Sequence, residues 1–247
     1  MRLKEDVELD GQRVTEHLMN LIRNEQLHAG QKLPSEMVLS RMFGLNRYAV
    51  RQAIAKLTNL GWVTPVQGKG CFVNERTIAV PYVISANTRF TDNMNQMGKQ
   101  HSSHLIDWCK DVPTDDERSE LGLSRGALVY RLEIVRFVEH APLSITTSAL
   151  PVSMVPNMED HLETFHTLYG ILDEYYHFIP VRQKSTIQAT FPRMQEADYL
   201  DMPKDVPILR MENISIHPDG RPAEYGITRM RGDRNQCIIH YGKGRLG

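Results

Sequence analysis

The residues best suited to chemistry in this 247-residue sequence are basic and lie near its N-terminus. An apolar stripe from Val50 to Leu57 predicts the buried side of a helix. The outer side carries Tyr48 and Arg51, and Arg47 lies in the exposed first turn. Arginines at the start of such a helix can form paired bonds with guanine in the major groove or hold phosphates. Lys69, between two glycines at a predicted hairpin tip, can approach a phosphate or the minor groove.

The distribution of charge supports a polyanion partner for this part of the chain. Gly30–Glu75 contains six Lys or Arg and two Glu, a net charge of +4, whereas the whole chain has a net charge of -1. Because polyanion binding needs a concentration of positive charge, we expect it in the N-terminal third. The sequence therefore predicts double-stranded DNA as a partner.

The elements that must position these residues can be read from capping residues and apolar spacing. The pattern predicts a helix over 12–27, a second helix that Ser35 caps and Gly44 ends, and a third that Asn46 caps. Two short strands over 62–66 and 71–73 follow. This order is typical of a winged helix-turn-helix, although any small helical domain with a hairpin would share it.

The rest of the chain predicts an α+β domain with an antiparallel sheet, reached through an extended linker at 76–86. The predicted elements are a helix over 88–98, a helix over 114–122, strands over 127–139 and 143–150, a helix over 163–176, a strand over 181–191, a short helix after Pro192 and two strands around 217–221.

Catalytic, metal and membrane functions have little support in the sequence. Three widely spaced cysteines, with no CxxC motif, argue against a disulfide framework or a zinc site. His101 with His104, and His161 with His166, have no acidic or cysteine partner at a ligand spacing. Three acidic residues at 115–117 suit the first turn of a helix better than a paired-carboxylate site. No apolar run suits a membrane span or a signal peptide, so we expect a cytoplasmic protein without catalytic residues, metal or cofactor.

Three stretches closely resemble the DNA-binding domain of the GntR family of bacterial transcription regulators. They are GxxLPSE at Gly30–Glu36, the run Phe43–Trp62 and QGKG at Gln67–Gly70. Asn46 replaces the usual Ser or Thr, and Met37 stands where some members have a DNA-contacting Arg. The resemblance implies a winged helix-turn-helix whose DNA-binding residues are Ser35, Glu36, Arg47, Tyr48, Arg51, Gln67, Gly68, Lys69 and Gly70.

Scattered motifs in the second half resemble the UTRA effector-binding domain of the HutC branch of this family. They include Tyr130–Arg136, Thr167-Leu-Tyr169 and Arg231-Gly-Asp233. The resemblance implies a fold similar to chorismate lyase, a ligand cleft beside the sheet and a structural ion pair between Arg231 and Asp233. The positions that match the cleft are Arg89, Arg136, Thr167, Tyr169 and Glu224.

Departures from the branch pattern bear on the effector. Sugar-phosphate-binding members usually have Ser or Thr where this chain has Arg89, and Arg where it has Ile134. Met230 also replaces the usual Tyr. Arg89 and Arg136, with two nearby hydroxyls, could hold a compact oxyanion. The chain looks most like the phosphonate-utilisation (PhnF-like) regulators of the branch.

The sequence as a whole predicts a homodimeric regulator, a repressor controlled by a small anionic effector. We expect a winged helix-turn-helix domain at 1–75, a linker at 76–86 and a UTRA effector-binding and dimerisation domain at 87–247. Three alternatives stay open: a regulator that responds to a sugar phosphate or carboxylate, a chorismate-lyase-like enzyme with a basic appendage, and an architectural DNA binder without a ligand.

Overall fold

Two helix starts near the N-terminus are set by side-chain caps. The Ser35 hydroxyl accepts a hydrogen bond from the Val38 amide at 3.3 Å, and the Asn46 carboxamide accepts one from the Ala49 amide at 2.9 Å. Gly44, with φ +65°, supplies the left-handed residue between the two helices. These caps confirm the sequence-based prediction of a helix, a tight turn and a second helix.

The computed structural model describes residues 4–74 and 79–240, with side chains of the first helix from Gly11 onward. The chain divides into two compact units between residues 78 and 79. The elements of the first unit are α1 (Lys4–Arg23), α2 (Glu36–Phe43), α3 (Arg47–Asn59), β1 (Val63–Val66) and β2 (Gly70–Val73).

The first unit is a three-helix domain with an antiparallel β1–β2 hairpin. Helix α1 packs against α3, and Leu18, Leu39 and Leu57 are fully buried in their shared core. The first helix begins earlier and ends earlier than the predicted range of 12–27. It stops at Arg23, and Glu25 adopts a positive φ of 55°.

The second unit contains a six-stranded antiparallel sheet in the order β4-β5-β6-β9-β8-β7. This arrangement confirms the predicted α+β class. The bounds are β3 (Val80–Val83), α4 (Phe90–Gln96), β4 (His101–Asp111), α5 (Asp115–Leu121), β5 (Val129–Val138), β6 (Ala141–Pro151), a 3₁₀ helix (Met158–His161), α6 (Leu168–Tyr176), β7 (Val181–Thr190), α7 (Met194–Tyr199), β8 (Ile208–Ile216), β9 (Pro222–Arg231) and β10 (Asn235–Ile238).

The linker predicted at 76–86 needs correction. Residues from Ala79 onward belong to the second unit, and β3 pairs in parallel with β10, with Val80 opposite Asn235. The second unit thus begins before the predicted residue 87. Local sequence could not show this, because the strand that completes β3 lies about 155 positions further along the chain. The part of the predicted linker at 76–78 lies outside the described residues.

The helix predicted over 163–176 is shorter at its start. The Thr167 hydroxyl accepts a hydrogen bond from the Gly170 amide at 3.0 Å, so Thr167 is the N-cap and α6 begins at Leu168. Residues 163–166 form turns and a bend instead. The cap places the first turn of α6 beside the central sheet strands, and this position matters for the cavity described below.

The Arg231-Gly-Asp233 motif forms an internal ion pair. The Arg231 guanidinium donates to both carboxylate oxygens of Asp233, at 3.0 and 2.8 Å. It also donates to the main-chain carbonyls of Leu200 and Asp201. Gly232 packs so closely on Pro207 that an added Cβ would lie 2.5 Å from the Pro207 carbonyl oxygen. The motif therefore fastens the end of β9 to the loop after α7.

A second ion pair gives the first testable prediction, on stability. Arg131 donates to both Glu117 oxygens at 2.8 and 2.7 Å, and Glu117 completes a capping box with Thr114. Burial raises the pKa of Glu117, but the bonds from Arg131 and Thr114 outweigh it, so the pKa lies below its usual value. Glu117→Gln should lower the unfolding free energy at neutral pH by about 1.5–3 kcal/mol.

The loss of stability in Glu117→Gln should depend on pH. Folding lowers the pKa of Glu117, so its carboxylate contributes fully to stability above the unfolded pKa of about 4.3. This contribution disappears as the pH falls through the lower pKa of the folded protein. Urea denaturation of wild type and Glu117→Gln across this range measures it. Asp115→Asn, at an exposed position of the same turn, is the control. A difference between wild type and Glu117→Gln that stays constant with pH would contradict the assignment.

Candidate DNA-binding surface and effector cavity

The exposed side of α3 carries the basic residues singled out in the sequence. Arg47 and Tyr48 occupy its first turn and are both exposed, the latter to 63%. Such exposure of a tyrosine and an arginine in adjacent positions leaves them available to a partner. Ser35 and Asn46, by contrast, use their side chains to cap α2 and α3. The cap does not prevent the Ser35 hydroxyl from donating its own proton to a phosphate.

Glu36 and Arg51 form an ion pair that bridges α2 and α3. Arg51 Nε donates to Glu36 Oε2 at 2.8 Å, and the Arg51 side chain remains 64% exposed. Among the side chains that the structure describes, at 11–74 and 79–240, Arg51 makes no other hydrogen bond. Its two terminal nitrogens are therefore available for bidentate contact with a base or phosphate. In this geometry Glu36 orients the arginine.

The β1–β2 hairpin has the geometry of a wing. Gly68 and Gly70 have φ values of +73° and +112°, which L side chains rarely adopt. Gln67 and Lys69 are exposed at the tip, and the Lys69 amide donates to the Val66 carbonyl at 3.0 Å. The turn thus presents a lysine flanked by two residues without side chains.

Lys32 is a basic neighbour of the wing that the sequence analysis missed. Its main chain bridges to Phe72 of β2, and a Cβ on Gly70 would lie 2.7 Å from Lys32 Cε. Because this lysine precedes α2 by several residues, no local pattern links it to the hairpin. The glycines of QGKG were the available signal, since a glycine often marks a close approach.

A cavity of about 210 Å³ lies against one side of the central sheet of the second unit. Its walls come from α4, the start of α6 and the strands β5 to β9. All five residues that the sequence placed in the effector site line it, namely Arg89, Arg136, Thr167, Tyr169 and Glu224. These five residues come from four separate elements, α4, β5, α6 and β9, and meet at one concave site.

Arg136 extends from β5 toward the cavity. Its guanidinium donates to the Thr146 hydroxyl on β6 and lies 5.5 Å from the centre of the Phe90 ring. Thr146 in turn contacts the Thr228 hydroxyl at 3.0 Å. Burial lowers the pKa of Arg136 from its ordinary value. The side chain remains a cation at neutral pH because that ordinary value is so high.

Glu224 supplies a buried carboxylate at another wall of the cavity. It is 6% exposed and accepts hydrogen bonds from Ser148 Oγ at 2.7 Å and the Tyr169 hydroxyl at 2.6 Å. Burial and the adjacent Glu224 raise the pKa of Tyr169 well above its usual value. Tyr169 therefore keeps its proton and donates a hydrogen bond to Glu224.

Arg89 and Thr167 occupy the helix starts that border the cavity. Arg89 is the N-cap of α4 and makes no capping bond; its Nε lies 3.9 Å from an Asp92 carboxylate oxygen. Thr167 accepts the Gly170 amide, which leaves its own hydroxyl proton for a ligand. Both residues are the N-cap of a helix and also line the cavity.

Arg182 on β7 is a cavity residue that the sequence analysis missed. It lies opposite Ser215 of β8 in the sheet register, and both residues line the cavity. The strand prediction over 181–191 was sound, but the local sequence does not show which strand pairs with β7. A bulge between Arg182 and Lys184 further changes the alternation of faces.

Two arginines of the cavity have no direct ionic partner among the described residues, although Asp92, Asp173 and Glu224 also line the cavity. Within the described ranges, neither Arg136 nor Arg182 has a carboxylate oxygen within 4.0 Å. Glu224 bonds to hydroxyl groups rather than to either guanidinium. Two buried or half-buried cations thus face the same space.

Comparison with known proteins decides the family. The profile of the bacterial regulatory proteins of the gntR family matches residues 11–73, and the UTRA domain matches residues 96–236. The chain belongs to the GntR family of transcription regulators and carries a UTRA domain. Its first unit is the DNA-binding part and its second unit the effector-binding part.

Relatives and solved structures match this GntR-family chain over most of its length. The HTH-type transcriptional repressor NagR of Bacillus subtilis (strain 168) is 28% identical over 230 residues, 92% of each chain. The probable transcriptional regulator PhnF of Escherichia coli (strain K12) is 26% identical and covers 88% of this chain and 89% of its own. The crystal structure of PhnF from Mycobacterium smegmatis has a TM-score of 0.64 at 21% identity, covering 94% and 100%.

These matches describe a ligand-responsive transcription regulator rather than an enzyme, so the alternative of a chorismate-lyase-like enzyme is set aside. Among the described residues there is no group of three or more His, Cys, Asp or Glu placed to hold a metal ion. Over the same part of the regulator, no helix is both long and apolar enough to cross a membrane.

The exposed arginines of this regulator give a prediction on DNA affinity. Arg51→Ala and Arg47→Ala should each weaken binding to a sequence selected from random DNA by about 1–3 kcal/mol. Lys69→Ala should cost less, flatten the dependence on salt and leave sequence preference intact. Fluorescence anisotropy over a range of salt concentrations measures both.

Lys56→Ala is the matched control, because Lys56 is an exposed cation in the last turn of the same helix. It should change affinity little compared with Arg51→Ala. Equal binding by wild type and by all the arginine and lysine variants would show that α3 and the wing do not contact DNA.

Proposed function

We propose that this regulator is a repressor that binds a palindromic operator as a homodimer and is controlled by a small anionic metabolite. The observation that carries the anionic effector is the pair of guanidiniums, Arg136 and Arg182, in one cavity without a carboxylate partner among the described residues. A buried cation without a counterion is costly, and a bound anion removes that cost.

Further cavity groups favour an oxyanion. Thr167 and the first turn of α6 line the cavity, and the positive end of a helix attracts negative charge. Arg89 adds a third guanidinium at the start of α4. Guanidiniums bind planar or tetrahedral oxyanions through paired, charge-assisted bonds. We infer that Arg89, Arg136, Thr167, Tyr169 and Glu224 are the effector-binding residues.

The size of the cavity favours a compact effector. Its volume of about 210 Å³ is below the range of about 300–1,000 Å³ that is usual for drug-sized ligands. Ile134 also contributes an apolar side chain where sugar-phosphate-binding members usually have an arginine. We therefore propose a phosphonate or related compound, in keeping with the resemblance to phosphonate-utilisation regulators.

Glu224 favours an effector with a donor group beside its anion. Each carboxylate oxygen accepts one hydrogen bond, from Ser148 or Tyr169, and can accept another. A hydroxyl or amine of the ligand could supply it. A sugar phosphate or hydroxycarboxylate is the second candidate class, since both carry hydroxyl groups.

Dimerisation follows from the demands of operator binding. One winged helix makes few phosphate contacts, and two subunits on a palindrome roughly double the contact free energy. We propose that the UTRA domain holds the dimer. Sedimentation equilibrium of the full chain should give a mass near twice 28.4 kDa. A monomer at micromolar concentration, in the presence and absence of selected DNA, would contradict the proposed dimer.

The effector proposal predicts binding of methylphosphonate in preference to acetate. Arg136→Gln should weaken it by about 1.5–3 kcal/mol, the range for hydrogen bonds to charged groups. Arg89→Gln should behave similarly, whereas Tyr169→Phe, which removes a neutral hydroxyl, should cost about 1 kcal/mol. Isothermal titration calorimetry of the folded variants measures each value.

Arg125→Gln is the control, since Arg125 is exposed in the loop before β5 and does not line the cavity. DNA affinity without ligand should persist in the cavity variants, and methylphosphonate should lower the DNA affinity of the wild type. Preference for glucose 6-phosphate would select the sugar-phosphate alternative. DNA affinity unaffected by any of these compounds would support an architectural DNA binder.

A further inference from the structure

Arg182 connects an edge of the sheet to the segment that leads into α4. Its Nη1 donates to the Ser85 carbonyl at 2.9 Å, and its main-chain amide donates to the Ala86 carbonyl at 2.9 Å. We name residues 84–89 the Ser85 segment. Since Arg182 also lines the cavity, one side chain touches both the ligand space and this segment.

One edge of the Arg182 guanidinium, formed by Nε and Nη2, makes only one long hydrogen bond. Its Nε is buried and has no hydrogen-bond partner within the described part of the chain, and Nη2 makes only a long contact of 3.4 Å with the Tyr82 hydroxyl. A buried N–H without a partner is unfavourable. The Nε and Nη2 groups lie side by side and could together bind one oxyanion.

The same edge is the one that this protein uses elsewhere to bind carboxylates. Arg131 binds Glu117 through Nε and Nη2, and Arg231 binds Asp233 in the same way. In both pairs the two oxygens lie 2.7–3.0 Å from the nitrogens. In Arg182, which lines the cavity, this edge has no carboxylate partner among the described residues.

The residues around Arg182 link the cavity to the start of the second unit. Tyr82 belongs to β3, which pairs with β10 and is also held by Asn93, whose side chain bonds to both main-chain groups of Val83. The Ser85 segment follows directly and ends at Arg89. The chain from Ala79 to Arg89 is therefore in contact with the cavity at both Tyr82 and Arg89.

We propose that Arg182 is a further effector-binding residue, whose Nε and Nη2 groups take an oxyanion of the ligand while Nη1 stays on the Ser85 carbonyl. This rests on the proposed anionic effector. Nε has almost no accessible surface, so the anion displaces the long Tyr82 contact to reach it. Binding thus changes the contacts of β3 and fixes the Ser85 segment.

The mechanism predicts opposite effects for two conservative variants. Arg182→Lys keeps the charge but cannot bind an oxyanion and Ser85 in this geometry, so methylphosphonate affinity should fall by at least about tenfold. Tyr82→Phe removes the contact that the ligand must break, so affinity should rise by about two- to tenfold. Calorimetry with methylphosphonate on the full chain measures both.

A purely structural Arg182 would not produce this pattern, because Tyr82→Phe would then lower stability and leave affinity unchanged. Tyr176→Phe, which removes a hydroxyl bonded to the Pro156 carbonyl outside the cavity, and Arg125→Lys are the matched controls.

The outcomes separate this proposal from the broader one. Wild-type affinity in Arg182→Lys, or weaker binding in Tyr82→Phe, overturns the role of Arg182 while leaving the anionic effector intact. Failure of the wild type to bind methylphosphonate, inorganic phosphate or glucose 6-phosphate overturns the anionic effector, and the role of Arg182 falls with it.

Discussion

The alternation of side chains across the antiparallel sheet is the constraint on which the cavity depends. Arg136, Thr146, Thr228 and Ser215 face it because β5, β6, β9 and β8 keep one register across the sheet. A slip of one residue in any strand would turn its cavity residues to the opposite face. There, Arg229 already forms a separate ionic cluster with carboxylates of β5 and α7. The register therefore separates arginines that stabilise the fold from arginines that remain for a ligand.

The availability of Arg136 to a ligand depends on how Glu224 is satisfied. If this carboxylate bonded directly to Arg136, that guanidinium would have fewer N–H groups left for an anion. Hydroxyls of Ser148 and Tyr169 fill that role, and burial keeps Tyr169 protonated. Neutral donors thus stabilise the carboxylate without consuming a guanidinium. Because each Glu224 oxygen accepts only one of these bonds, Glu224 can also accept a hydrogen bond from a donor group of the effector.

Local sequence predicted three helix starts well because a cap acts over three or four residues, whereas the starts of α1 and α6 were predicted wrongly. Ser35, Asn46 and Thr114 all accept the amides expected of them. Family resemblance brought five distant residues to one cavity, which spacing alone could not do. Lys32 beside the wing and Arg182 on the edge strand were missed, since their neighbours are set by strand pairing. The early start of the second unit was missed for the same reason, because β3 depends on β10.

The pairing of β3 with β10 also imposes an order in time on the nascent chain. The described elements of the first unit are complete by Val73, but Val80 must wait for Asn235 before β3 can pair. At a synthesis rate of 5–20 residues per second, that wait lasts about 8–30 s. The DNA-binding unit therefore leaves the ribosome well before the effector domain can close. Every newly made molecule passes through an interval in which its DNA-binding helices exist without the domain that regulates them.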